Sequence, residues 1–167
     1  MPLYFKKKYE MQNNDMFFLQ RAVKISAQNV SKGGGPFGAV IVENNKILAE
    51  AGNNVTNSND PTAHAEIEAI RLACNIKKTF LLDTCTIYSS CEPCPMCLSA
   101  IYWSKISRIV FAASRHDAAQ AGFTDAFLYN EIQLPISKRA ILTSQITIPE
   151  TTKIFKNWTD SLDKITY

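Results

Sequence analysis

One constraint dominates this chain. His64-Ala65-Glu66 and, thirty residues on, Pro93-Cys94-Pro95-Met96-Cys97 must be brought together if their side chains are to act jointly. One imidazole and two thiolates make three ligands for a tetrahedral zinc ion, and three protein ligands leave the fourth position open for water. Cys94 and Cys97 are three apart, so on a helix they share a face and can reach one metal. The amino end of a helix also favours thiolate over thiol. With neutral His64, two thiolates and Zn²⁺ the formal charge cancels. Glu66 brings a carboxylate that could move protons to and from the water. Spacing alone does not aim it there, because positions i and i+2 do not share a helix face.

Other readings of the same cysteines exist. Cys91 offers a fourth ligand for a purely structural zinc site, or for a silent zinc-binding interaction module. Cys91-x-x-Cys94-x-x-Cys97 also matches part of an iron–sulfur run, but the further x₃-Cys-Pro is missing. Cys74 and Cys85 fall in apolar segments and read as core filler. Five cysteines, an odd number with three of them packed into seven residues, suit metal ligands and free thiols in a reducing compartment.

At 167 residues the chain suits one well-buried domain. No segment approaches the roughly 18 consecutive apolar residues of a membrane span, and the polar run Tyr9 to Asp15 stands where a signal peptide needs its apolar stretch. A cytoplasmic protein with no membrane partner is expected. The net charge is only +3 and the basic residues are dispersed. Lys6 to Lys8 read as part of a flexible, solvated tail over residues 1–15. Without a clustered basic footprint, a small-molecule substrate is favoured over nucleic acid.

The order of elements follows from periodicity and punctuation. Asp15 can cap a helix over Met16 to Ser31, which Gly33-Gly34-Gly35-Pro36 stops. Phe37 to Glu43 and Lys46 to Glu50 read as strands joined by an Asn44-Asn45 turn. A polar loop from Asn53 to Pro61 leads to a second helix, Ala63 to Cys74, with His64 in its first turn. Cys85 to Ser89 is a strand, Pro93 opens a third helix running to Trp103, and Arg108 to Ala113 is another strand. The remainder is mostly helix. The predicted fold is a three-layer α/β/α sandwich with one mixed central sheet, a single domain over residues 16–167. The glycine run contains no Gly-Lys-Ser/Thr and is a poor phosphate loop. It reads as a tight turn that brings Phe37 to a substrate or into the core.

The H-x-E…P-C-x-x-C pattern is the signature of zinc nucleobase deaminases. Gly-Pro-Phe-Gly-Ala-Val (35–40), Asn-Asp-Pro-Thr-Ala-His-Ala-Glu (59–66), Cys-Glu-Pro-Cys-Pro-Met-Cys-Leu (91–98), Ala-Ile-Tyr-Trp (100–103) and the segment from Asp117 to Asp125 resemble the bacterial guanine deaminases of the cytidine-deaminase superfamily. The similarity runs from about Met16 to Tyr167. It departs at Thr124, where the family often has a second aspartate, and at Arg115-His116. The resemblance implies a cytidine-deaminase-like fold and hydrolysis of guanine to xanthine and ammonia in purine catabolism or salvage. It further implies one zinc per subunit on His64, Cys94 and Cys97, with Glu66 as proton shuttle. Substrate contacts are implied at Phe37, which would stack on the base, Asn53, which would hydrogen-bond it, and Ala65. Asp125 would read a ring edge, and Tyr167 would close the pocket from the other subunit of a homodimer that exchanges carboxy-terminal segments. The alternative is a tRNA adenosine deaminase of the same fold. On the residues alone, Asn53 could equally form a turn and Asp125 could cap the short helix after it.

Overall fold

The computed structural model describes residues 14–166. Lys6 to Lys8 and Tyr167 lie outside the described residues. The chain divides into two compact units, Met1–Thr124 and Asp125–Tyr167.

The first unit runs α1 (Asp15–Ser31), β1 (Gly38–Glu43), β2 (Lys46–Gly52), α2 (Val55–Ser58), α3 (Ala65–Lys77), β3 (Cys85–Cys91), α4 (Pro95–Trp103), β4 (Arg108–Ala113) and α5 (Arg115–Gln120). The four strands form one mixed sheet in the order β2-β1-β3-β4. Asn44 and Asn45 both have positive φ, 50° and 61°, so a two-residue turn makes β1 and β2 antiparallel neighbours. β3 and β4 are parallel, because the chain returns through α4 between them. β1 is central and supplies both faces of the sheet with alternate residues. Val40 and Val42 meet Phe18, Ala22 and Ile25 of α1, with Tyr88 and Val110. Ala39 and Ile41 meet Ala65, Ala69 and Ala73 of α3, with Ile87 and Ile101. Helices thus cover both faces, the three-layer arrangement expected from the element order.

Several details differ from the sequence reading. The stripe of α3 that packs on the sheet is alanine at every fourth position, and Leu72 is 45% exposed. Small side chains on one face let the helix approach closely. α3 begins at Ala65 with His64 as its N-cap, and α4 begins at Pro95 with Cys94 as its N-cap. Pro93 therefore does not open the helix. Pro95 disfavours helical dihedrals in the residue before it, so Cys94 stays extended (φ −64°, ψ 169°). The sequence also gave no warning of α2, a single turn within the asparagine-rich loop.

Asp15 does not cap α1 either. Asn14 holds the N-cap position without a side-chain bond, while the Asp15 carboxylate turns inward. It accepts two hydrogen bonds from Arg108, at 2.7 and 2.5 Å, and one from the Tyr88 hydroxyl at 2.8 Å. Burial, reinforced by Asp15, pushes the Tyr88 hydroxyl up to about 12, so it stays a donor. This pair fastens the start of α1 to the edge strand β4. Asp15→Ala should lower unfolding free energy by about 3 kcal/mol, since it removes one partner of a largely buried ion pair. Urea denaturation measures this, and a loss below about 1 kcal/mol would show that the pair contributes no more than a surface bridge.

The second unit holds α6 (Ala126–Gln133), a 3-10 turn (Ile136–Lys138) and α7 (Pro149–Asp160). None of its described residues is buried. Leu142 and Leu162 are 94% and 99% exposed, and Phe155 and Trp158 are exposed as well. Among the described residues no helix is long and apolar enough to cross a membrane.

Candidate metal centre

His64 and Cys94 occupy equivalent places, each an N-cap with extended backbone at the start of a helix. α3 and α4 pack on the same face of the sheet, so the two caps and Cys97, in the first turn of α4, converge. His64 Nδ1 lies 3.6 Å from Cys94 Sγ and 3.5 Å from Cys97 Sγ. Among the described residues these three form the one cluster of metal-ligating side chains, with all donor atoms within 4.8 Å of one another. A tetrahedral zinc with Zn–S of about 2.3 Å and Zn–N of about 2.0–2.1 Å requires sulfur–nitrogen separations of about 3.6 Å. The donor set fits that ion in chemistry and spacing. It would be held through Nδ1, which leaves the Nε2 position of His64 to carry the proton.

The electrostatics fit a cation as well. A hydrogen bond from Cys97, helped by His64, pulls the Cys94 thiol down to about 4. The same shared proton, together with burial, pushes the Cys97 thiol up. His64 is raised, chiefly by its hydrogen bond to Cys94 and against the effect of burial. Protons thus mediate between donors that a divalent cation would bridge directly.

Glu66 is buried on the same side of α3 as the cluster. The i, i+2 objection does not apply, because His64 is a cap with extended dihedrals and stands outside the helical repeat. Glu66 Oε2 is 3.4 Å from Cys97 Sγ, and Oε1 accepts a hydrogen bond from the Ser89 hydroxyl at 3.0 Å. Burial dominates its titration and raises its proton affinity above that of an ordinary carboxyl. Ser89 is a residue the sequence reading missed. It is 1% exposed within β3, and a serine in a strand five residues before Cys94 was the available signal.

The remaining candidates fall as follows. Phe37 is half-buried before β1 and meets Phe123 edge to face, with ring centroids 4.8 Å apart. Phe123 was also missed. Asn53 is buried after β2 and its Oδ1 accepts the Val55 N–H at 3.3 Å, so it does form a turn. Ala65 is fully buried at the first position of α3. Asp125 holds the N-cap position of α6 but makes no side-chain cap bond. Asp117 is engaged otherwise: its carboxylate accepts from the Ser114 N–H and hydroxyl in a capping box at the start of α5, and those bonds lower its pKa. Cys91, considered as a fourth ligand, instead directs its sulfur to the Ser114 carbonyl at 3.6 Å. Cys85 lies in the core and Cys74 packs against it.

Comparison with known proteins agrees with this geometry. The family model described as the cytidine and deoxycytidylate deaminase zinc-binding region matches residues 12–113. The chain is 50% identical to guanine deaminase of Bacillus subtilis strain 168 over 92% of its own length and 99% of the relative's. The X-ray structure of Bacillus subtilis guanine deaminase superposes with a TM-score of 0.89 at 49% identity, covering 94% of this chain and 99% of that one. A crystal structure of a protein in complex with 2,6-diaminopurine matches with a TM-score of 0.65 at 29% identity, over 70% of this chain and 65% of that one. Similarity to the tRNA-specific adenosine deaminase of Aquifex aeolicus is 40% identity over 58% of this chain and 64% of that relative.

Proposed function

The chain belongs to the family built on the cytidine and deoxycytidylate deaminase zinc-binding region, and from that premise we propose that it hydrolyses guanine to xanthine and ammonia. The observation that carries this reading is the match to a guanine deaminase over 92% of this chain and 99% of the relative. The tRNA-specific adenosine deaminases match at 37 to 41% identity over 58 to 71% of the chain.

His64 Nδ1, Cys94 Sγ and Cys97 Sγ would hold one zinc ion per subunit. When bound, zinc supplies Lewis acidity that brings the pKa of water close to neutrality. The proton traffic belongs to Glu66. It accepts a proton from the water that attacks C2 of guanine and delivers it to the exocyclic nitrogen, which leaves as ammonia. Burial raises its proton affinity, which suits a carboxyl that must take up a proton before releasing it. Ser89 holds one oxygen of Glu66 and limits its rotation. Phe37 stacks on the base, Asn53 hydrogen-bonds it, Ala65 lines the pocket wall and Asp125 reads a ring edge.

The enzyme works as a cytoplasmic homodimer in purine catabolism or salvage, and exchanges carboxy-terminal segments between subunits so that Tyr167 closes the partner's pocket. Support for the exchange comes from the second unit, which exposes leucine, isoleucine, phenylalanine and tryptophan without burying any of its described residues. Apolar surface of that extent calls for a covering partner. Light scattering should give a dimer, and a monomer would remove the exchange from the model of function.

The functional test is ammonia release from guanine, adenine, cytosine, cytidine and a tRNA anticodon stem-loop measured side by side. Release from guanine with xanthine as product is expected. Release from the stem-loop alone would move the activity to tRNA editing and discard the closing role of Tyr167.

A further inference from the structure

Asn29, in the last turn of α1, ties together the two segments that carry Phe37 and Asn53. Its side-chain nitrogen Nδ2 donates to the carbonyl of Gly35 and to that of Asn53, each at 2.7 Å. Backbone bonds complete a closed circuit. The Phe37 N–H donates to the Gly35 carbonyl at 2.8 Å, and the Asn53 N–H donates to the Phe37 carbonyl at 3.1 Å. From the Asn29 amide the circuit passes through Gly35, Phe37 and Asn53 and returns.

Two glycines make room for this amide. A Cβ on Gly34 would lie 2.4 Å from Asn29 Nδ2, and a Cβ on Gly52 would lie 2.8 Å from Asn29 Oδ1. Both distances are shorter than side chains tolerate, so the glycines allow the two segments to close on Asn29. The Asn29 backbone carbonyl also accepts from the N–H groups of Lys32 and Gly34, which folds the glycine run back onto the helix end. Asparagine suits the position because a primary amide carries two N–H donors, one for each carbonyl. Gly35 matters for a related reason. A Cβ there would meet the Asn53 side chain at 3.3 Å and the Phe37 ring at 3.5 Å, so the three residues share one small space.

We propose that Asn29 is a positioning residue for the base-binding pocket: by holding the Gly35 and Asn53 carbonyls it fixes the Phe37 ring and the Asn53 side chain relative to each other. The proposal rests on the assignment of Phe37 and Asn53 to the base. It locates part of substrate recognition in a side chain on the opposite layer of the sandwich from the metal ligands. Loss of the clamp is therefore felt in the binding of guanine, with the zinc donors and Glu66 unaffected.

Asn29→Asp tests it. The substitution keeps the shape but replaces the donor with a carboxylate oxygen that repels both carbonyls. KM for guanine should rise about tenfold or more, as for loss of a buried hydrogen-bonded contact, while kcat stays within about threefold and zinc content is unchanged. A lowered melting temperature with unchanged KM would reduce Asn29 to a loop staple and overturn the proposal. Asn53→Ala, measured in parallel, separates the two levels of argument. If it raises KM and Asn29→Asp does not, the clamp fails and the pocket stands. If it leaves KM unchanged, the pocket assignment falls and the clamp with it. Should Asn29→Asp not fold, Gly52→Ala displaces the amide while leaving Asn29 in place. The same rise in KM is expected there, and its absence overturns the proposal.

Discussion

Glu66→Gln retains the fold and its full complement of zinc but loses about 10²-fold or more in kcat for guanine, the usual scale for a general acid–base group. Glutamine is nearly isosteric and can still accept the Ser89 hydrogen bond, so the pocket keeps its shape. What it lacks is any means to take up and release a proton. The magnitude follows from placement: the carboxylate is 6% exposed and 3.4 Å from a cysteine of the metal cluster, where solvent cannot replace it. Steady-state kinetics with zinc analysis decide the matter. Turnover near that of the unaltered protein would mean that another group moves the proton, and the assignment of Glu66 would be withdrawn.

The second large effect concerns the ligands. Cys97→Ala should bring zinc content close to zero and cut turnover by at least about 100-fold, because losing a direct ligand exceeds the roughly 10–100-fold cost of losing a residue that only supports one. Cys97 is fully buried at the start of α4 and lies against both His64 and Glu66, so no neighbour can take its place without moving a helix. Cys91→Ala is the informative control. Its sulfur points to the Ser114 carbonyl, and zinc content should be unchanged. Equal zinc loss in both variants would revive a four-ligand structural site. Chelator treatment followed by zinc addition should abolish and then restore turnover of the unaltered protein, and activity that survives chelation would end the metal assignment.

Much of the fold could be read from local chemistry. The limits of β4 and the Asn44-Asn45 turn follow from β-branched character and from the tolerance of asparagine for positive φ. The helix starts were less accessible. Pro93-Cys94-Pro95 offers two prolines, either of which suits a first helical position, and only the restriction that Pro95 places on Cys94 selects between them. That choice decides whether Cys94 is a helical residue or a cap. Asp15 misled for another reason: a carboxylate just before an apolar run is a good cap, and its pairing with Arg108, 93 positions away, is a tertiary fact. The zinc ligands were legible because three residue types at fixed spacing have few other uses. Ser89, Phe123 and Asn29 were not, since hydroxyls, rings and amides have many uses and only the fold brings them beside their partners.

The two parts of the proposed site are built from different kinds of chain. The metal donors and Glu66 stand at the starts of α3 and α4, backed by the alanine stripe and the inner face of β1 and β3. Phe37 and Asn53 stand on short connections at the ends of β1 and β2. Changing those connections would leave the packed layer behind the donors intact. With Phe37 and Asn53 on the base as proposed, the architecture permits the ring that is accepted to be altered while the hydrolytic step is inherited unchanged, and engineers seeking a deaminase for a different heterocycle should graft turns onto this frame and leave its helices alone.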